Sequence, residues 1–513
     1  MKKTLKSIIA FSLATLIAIS FSGCSKKQTE NLDALEYWVA LNSNASQIVT
    51  NLGETAFGKK LMENTGIEIN YVHPPQGQQG EKFNLLIAGN KLPDIIEYEW
   101  YNYTGGPERA LKDGIIRPID IEKEAPNLYA YLKEHPEVDK MCKTDDGVYF
   151  GFPFIRGDEW LQVSAGTIIR GDWLDDLGLE MPETIDEWTN VLTQFKEKKG
   201  ARAPLSISSG SFSPTYCAFI GAYGITDGIY LDGDEVKFGP MQPEYRDFLA
   251  QMNKWYKAGL LDADFMSNDS AIVQSKILTG QAGVAVGSVG GNLGKWMAAA
   301  PDDKFNLVGA PSAVLNKGDK AEFGNLQNIV TGTFACITRD CKDVEKALKL
   351  LDYGYSEEGK ELFNFGVEGE SFEMIDGYPT YTENITKNEK GLSMAVALSN
   401  YTLSHSAGAF IQDKRYMEQY AQLPQQKDAI TTWGQTNMKE HLLPALSLTP
   451  EQIDEMSSKI ENINTYKQEM MIKFIIGSES LDKFDEYIKV LEQRGANEYV
   501  DMMQDAYDRY KKR

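Results

Sequence analysis

The sequence predicts an α/β fold. Between Leu35 and Glu99 the apolar pattern switches back and forth between a period of two and a helical period, and after Pro450 the chain is written almost entirely in helical periodicity. Alternation of this β-α-β-α-β kind makes a parallel sheet with helices on both faces, in which ligands gather beyond the strand ends. The length of 513 residues allows about three domains, or two large lobes, around a substantial core.

Each element has its own signal. Leu35 to Leu41 reads as a strand, and Ile48 to Asn64 as a helix with Ile48, Leu52, Phe57 and Leu61 on one face and Gly66 as its stop. Ile67 to Val72 is the next strand, Glu81 to Ala88 a short helix ended by Gly89, and Asp94 to Tyr98 a third strand. Asp145-Asp146-Gly147 marks a hairpin turn into the apolar segment Val148 to Ile155, and Val163 to Ile169 is strand-like. The segment between these two is the first candidate crossing between lobes. Pro182 to Lys198 is a helix with Thr184 as N-cap and Glu187 three residues on. Glu244 to Ala258 is another, stopped by Gly259 and carrying Tyr245, Phe248, Leu249, Met252, Trp255 and Tyr256 on a core face. Ala282 to Gly287 and Ile329 to Thr338 are strand-like, with a helix at Lys342 to Tyr355 and a return crossing near residue 330. Helices at Glu451 to Ile476, Leu481 to Gln493 and Asn497 to Tyr510 complete the chain.

Composition removes several function classes. A formal net charge of -22 argues against nucleic acid as a partner and against electrostatic adhesion to anionic lipid. The four histidines are scattered, with no H-E-x-x-H, so a zinc hydrolase has no ligand set. Gly287 to Lys295 fails the phosphate-loop spacing because Val289 and Trp296 stand where glycine and a hydroxyl are required. Asp232-Gly233-Asp234 begins like a calcium loop, but Val236 and Phe238 break the alternation of oxygen ligands, leaving a hairpin turn. Ser288 lacks the glycine frame of a hydrolase nucleophile, since Val286 precedes it. Cys142, Cys217, Cys336 and Cys341 match no metal or redox spacing and read as buried free thiols, with disulfides as the alternative. No enzyme, metal or cofactor is expected.

The N-terminus sets location. Lys2, Lys3 and Lys6 precede an apolar run from Ile8 to Ile19 that is short for a bilayer span, as in a cleaved signal peptide. Phe21-Ser22-Gly23-Cys24 then resembles the lipobox of bacterial lipoproteins, which implies a signal peptide over 1–23, lipidation of Cys24 and a tether over 24–34. The expected location is extracytoplasmic, held at the cell membrane by acyl chains.

Longer segments resemble the extracellular solute-binding proteins of bacterial ABC importers, in particular the sugar-binding lipoprotein branch that includes the alginate-binding proteins. The residues are Leu92-Pro93-Asp94-Ile95-Ile96, His135-Pro136-Glu137-Val138, Tyr149 through Pro153, Arg170-Gly171-Asp172-Trp173-Leu174 with Thr184-Ile185-Asp186-Glu187-Trp188, the run Lys254 to Asp262, Asn364 to Glu370, Gln412-Asp413, and Met502 to Arg509. The resemblance implies a two-lobed periplasmic-binding-protein-like fold of type II, each lobe a mainly parallel sheet flanked by helices, with a helical C-terminal region. It implies lobe 1 from 35–155 and 331–375, lobe 2 from 156–330 and 376–513, a ligand between them and closure by hinge motion. The calcium loop of alginate-binding relatives is missing, because Lys198 to Pro204 passes directly through that position. The aromatic they place before Gln-Asp is here Ile411, with Phe410 preceding it.

The expected function is therefore capture of an oligosaccharide and its delivery to importer permeases and, through them, an ATPase, by a monomer that touches membrane only through its anchor. A peptide receptor of similar form, a surface glycoside hydrolase and a sensing lipoprotein are the alternatives. Sugar recognition needs flat aromatic faces and planar polar side chains. Trp100, Tyr101, Phe154, Trp160 and Phe410 are the candidate stacking residues; Asn42, Asn44, Glu99, Arg156, Asp158, Glu368, Gln412, Asp413 and Arg415 are the candidates for hydroxyl contacts.

Overall fold

Why the first lobe opens as it does is visible in its strand starts. The structure is a computed structural model that describes residues 33–89, 91–405 and 407–513, so the signal peptide and Cys24 lie outside the described residues. Strands β1 (Leu35–Trp38), β2 (Ile69–Val72) and β3 (Ile95–Glu99) form where the period-two pattern predicts them, and β1 lies parallel to both neighbours, with Leu35 opposite Ile69 and Tyr37 opposite Ile95. Then come β4 (Phe152–Arg156), β5 (Ala165–Arg170), the hairpin β6 (Ile229–Asp232) and β7 (Glu235–Phe238), β8 (Val284–Ser288), β9 (Leu307–Gly309) and β10 (Val330–Ile337). A second hairpin, β11 (Phe372–Ile375) and β12 (Tyr378–Tyr381), and the two-residue β13 (Ile411–Gln412) follow.

The first sheet has the order β13-β4-β10-β3-β1-β2 and the second β8-β5-β9. The α/β two-lobed class stands, but the pairing is mixed rather than mainly parallel. In the first sheet β10 is antiparallel to β3 and β4, and in the second β5 is antiparallel to β8 and β9. The reason is connectivity. The chain leaves the first sheet after β4 and re-enters it at Val330, paired with Ile155, so β10 must run back against its neighbours. Residues 155 and 330, where crossings are expected, lie opposite each other in this pairing.

The expected helix from Ile48 is broken. The Asn51 side chain accepts from Gly53 N at 2.9 Å and Thr55 Oγ1 from Gly58 N at 2.9 Å, so two caps stop one turn and start another, and the helix proper is Ala56–Thr65. A Cβ at position 58 would stand 2.3 Å from Leu52 O, which shows how closely the chain folds back here. Helix Ile185–Lys198 carries the full capping box of Thr184 and Glu187, and Gly233, at φ +61°, makes the β6–β7 turn.

Each sheet has its own apolar core. The first gathers Ile95, Ile96, Trp100, Phe152, Phe334 and Phe410; the second gathers Trp188, Phe195, Tyr245, Trp255 and Phe474. The long helix Pro450–Ile476 is tied to helix Pro243–Lys257 by Asn253 Nδ2, which donates to Phe474 O at 3.0 Å and Ile475 O at 2.9 Å. Lys467 pairs with the buried Asp227 at 2.7 Å. Cys142, Cys217 and Cys336 are buried free thiols, and Cys341 is a half-buried one.

Candidate functional site

Beyond the carboxyl ends of β1, β2 and β3 the structure holds a chamber of about 390 Å³. Its rim is polar: Asn42 and Ser43 follow β1, Gln76 and Gln79 follow β2, and Glu99 ends β3. Below them Glu97, Tyr37 and Tyr71 face an apolar interior that includes Leu52, Phe57, Leu61, Leu351 and Phe363. Parallel strands leave their last backbone and side-chain groups at one edge, which is why the polar groups collect there.

The chamber's polar groups are held in place. Gln76 Nε2 donates to Leu41 O at 2.5 Å, Asn44 N donates to Asn42 Oδ1 at 2.7 Å, and Asn102 Nδ2 donates to Glu99 Oε2 at 3.0 Å. Tyr37 Oη donates to Glu97 Oε2 at 2.7 Å, and the Tyr37 ring stacks on Tyr71 with centroids 5.6 Å apart. Burial pushes the Glu97 carboxyl up to about 7, against the opposing pull of the Tyr37 hydroxyl, and burial raises Tyr37 and Tyr71 as well. Behind them His73 sets the loop after β1: Nδ1 lies 2.8 Å from Val39 O while Nε2 accepts from Leu52 N at 3.0 Å, a pattern that requires the neutral ring. Burial lowers its pKa accordingly.

A wider hollow of about 740 Å³ runs between residues 123–127 and 344–356. Of its carboxyl groups, the buried Asp352 is already engaged by Asn127 N and Nδ2 and by Leu128 N at 2.8 to 3.1 Å.

The sequence-derived candidates fall into three groups. Asn42 and Glu99 line the chamber, with Asn44 hydrogen-bonded to Asn42. Trp100, Phe154 and Phe410 are core: Trp100 and Phe410 are fully buried, and Phe154 packs on Phe410 with centroids 5.1 Å apart. Tyr101 is packed on Phe150 and Phe334 with its hydroxyl buried and unpartnered among the described residues. The rest sit where the chain passes between sheets. Arg156 Nη1 donates to Asn328 O at 3.0 Å and Nη2 to Gln327 Oε1, and burial brings this guanidinium down to about 10. Asp158 caps Trp160 N at 2.9 Å and pairs with Lys414 at 3.3 Å, while Trp160 is half-buried against the second lobe. Asp413 binds Arg415 through Nε at 3.0 Å and Nη2 at 2.6 Å, Gln412 Nε2 donates to Ser404 O at 2.8 Å, and Glu368 is exposed beside β11.

Sequence reasoning missed Glu97, Tyr37, Gln76 and Gln79. One signal was available: strand alternation puts Glu97 on the same face as Ile95 and Glu99, so an acidic residue follows two isoleucines at an inward position of the strand. Among the described residues no group of three or more His, Cys, Asp or Glu side chains is arranged to hold a metal ion.

This architecture has known counterparts. Over 518 aligned residues the chain is 26% identical to lipoprotein LipO of Bacillus subtilis, covering 94% of this chain and 95% of that one. The FusA protein of Streptococcus pneumoniae, an ABC-transporter substrate-binding protein solved with kestose, superposes with a TM-score of 0.74 at 22% identity over 93% of this chain and 99% of its own. The alginate-binding protein AlgQ2 superposes at 0.73 and 22% identity, over 93% and 98% of the two chains. Residues 50–361 match the family described as bacterial extracellular solute-binding protein, and with the two sheets, their paired crossings and the chamber beyond the strand ends, the chain belongs to that family.

Proposed function

We propose that this protein is a lipid-anchored, extracytoplasmic receptor that captures an oligosaccharide and passes it to the permeases of an ABC importer, and through them to an ATPase. One observation carries the reading: a preformed chamber with a rim of planar amides and a carboxylate, beyond the strand ends of a solute-binding fold. The named relatives support the sugar class, since FusA is described as a fructooligosaccharide-binding protein and MelE of Bacillus subtilis as a melibiose, raffinose and stachyose binder. Solute binding, not turnover, is what the family does.

The proposed contacts are Asn42, Asn44 and Glu99 at the rim, and Asp158, Trp160, Asp413 and Arg415 at the passage between sheets. Trp100, Phe154 and Phe410 back these surfaces from the core. The proposed division keeps 35–155 and 331–375 in one lobe and 156–330 and 376–513 in the other, with β13 as the point where the last passage is anchored on the first sheet. Cys24 is the proposed lipid attachment. Calorimetric titration of the soluble body with a panel of oligosaccharides tests the function. Saturable heats with at least one sugar are expected; silence from every sugar together with a response to peptides refutes the carbohydrate assignment.

A further inference from the structure

The chamber is acidic, with two carboxyl groups in its lining. Glu97 and Glu99 line it two positions apart on one strand, and among the described residues no lysine, arginine or histidine does. Glu97 is only 9% exposed; Tyr37 Oη donates to its Oε2 at 2.7 Å, and leucine and phenylalanine side chains make up much of the wall beside it. A buried carboxylate is costly unless a partner brings opposite charge or hydrogen-bond donors. Among the described residues Tyr37 supplies one donor and no cation lines the chamber, so a ligand cation would complete the pairing. A neutral hydroxyl brings one donor; an ammonium brings three donors and the compensating charge, in a charge-assisted bond of about twice the strength. The Tyr37 and Tyr71 rings, stacked beside the carboxyl, add faces on which a cation is favoured. A uronate would meet two carboxylates with nothing to neutralise it.

We propose that the chamber is a subsite for a protonated amine carried on a sugar ring, with Glu97 as its counter-ion and Glu99 attracting it at the mouth. This rests on the oligosaccharide reading and deepens it: the ligand contains an amino sugar whose nitrogen is not acylated. The chamber's volume falls within the roughly 300–1,000 Å³ of small-molecule sites.

Matched ligand pairs test it at pH 7 by calorimetry: the glucosamine trisaccharide against cellotriose and against its N-acetylated form, and galactosamine against galactose, with trigalacturonate as the anionic probe. In at least one pair the free amine should bind roughly ten-fold or more tightly than its neutral partner, and trigalacturonate should be silent. Glu97→Gln keeps the acceptor for Tyr37 but removes the charge, and it should erase the amine's advantage over its neutral partner within each pair. Equal affinity within every pair of the unaltered protein overturns the proposal without any variant, as does an advantage that survives in a folded Glu97→Gln. In those cases neutral sugars still bind and the receptor function stands; silence from all sugars is instead the failure of the function itself.

Discussion

Replacing Glu97 by glutamine should make the protein's stability less dependent on pH, and the structure sets the size of the effect. Burial holds this carboxyl up near 7, whereas a carboxyl in an unfolded chain titrates near 4.3. A folded-state value raised above the unfolded one means that the folded state keeps its proton longer. The contribution is therefore intact below about pH 4.3 and is lost as pH rises through about 7. At about 1.4 kcal/mol per pH unit, the loss between pH 5 and pH 8 comes to about 2–3 kcal/mol. Glutamine keeps an acceptor for the Tyr37 hydroxyl but leaves its amide N–H groups without partners, a cost of about 1–3 kcal/mol that does not vary with pH. The assay is urea unfolding of both proteins at half-unit steps from pH 5 to pH 8. The offset between them at pH 5 reports the amide, and its change by pH 8 reports the ionisation. Parallel profiles, with the offset constant across the range, would refute the argument that Glu97 is a buried, solvent-starved carboxyl.

Other consequences are simpler to read. Cys24→Ala removes the proposed lipid attachment and should release the protein from the membrane fraction and impair uptake while the soluble body binds ligand unchanged, as expected if a tether acts only by raising local concentration; fractionation with calorimetry checks both halves. Lys467→Ala strands the buried Asp227, which Lys467 pairs at 2.7 Å and Tyr245 Oη supports at 3.0 Å, and should destabilise by about 3–5 kcal/mol in urea unfolding, with the double variant Lys467→Met, Asp227→Leu recovering most of it. Thr184→Ala removes the acceptor for Glu187 N in the capping box and should cost about 1 kcal/mol by the same method.

Local signals were legible where one short stretch of chain decides the outcome. The capping box at Thr184, the stop at Gly259 and the β6–β7 turn at Gly233 all form from neighbours in sequence, and the structure has each of them. The break in the helix after Ile48 was not read, although Asn51 and Thr55 are cap formers, because the apolar spacing of Leu52, Phe57 and Leu61 runs straight across it. Core tryptophans and phenylalanines defeated the choice of stacking residues for a different reason. Trp100 and Phe410 have the same chemistry as a sugar platform, and only the packing of strands on both sides of them decides that neither has a free face.

By itself the sequence determined the class of the fold, the acidic character, the family and the expectation of a lipid anchor, since periodicity, charge and ordered motifs are properties of the chain read in one dimension. Tertiary structure decided the direction in which β10 runs, the burial of the aromatics and the chamber itself. Glu97 acquires its meaning only there: β1 brings Tyr37 to one carboxyl oxygen, helices close an apolar wall around it, and among the described residues no cation lines the chamber. Burial and pairing depend on what residues far apart in sequence bring together, and no local pattern records that.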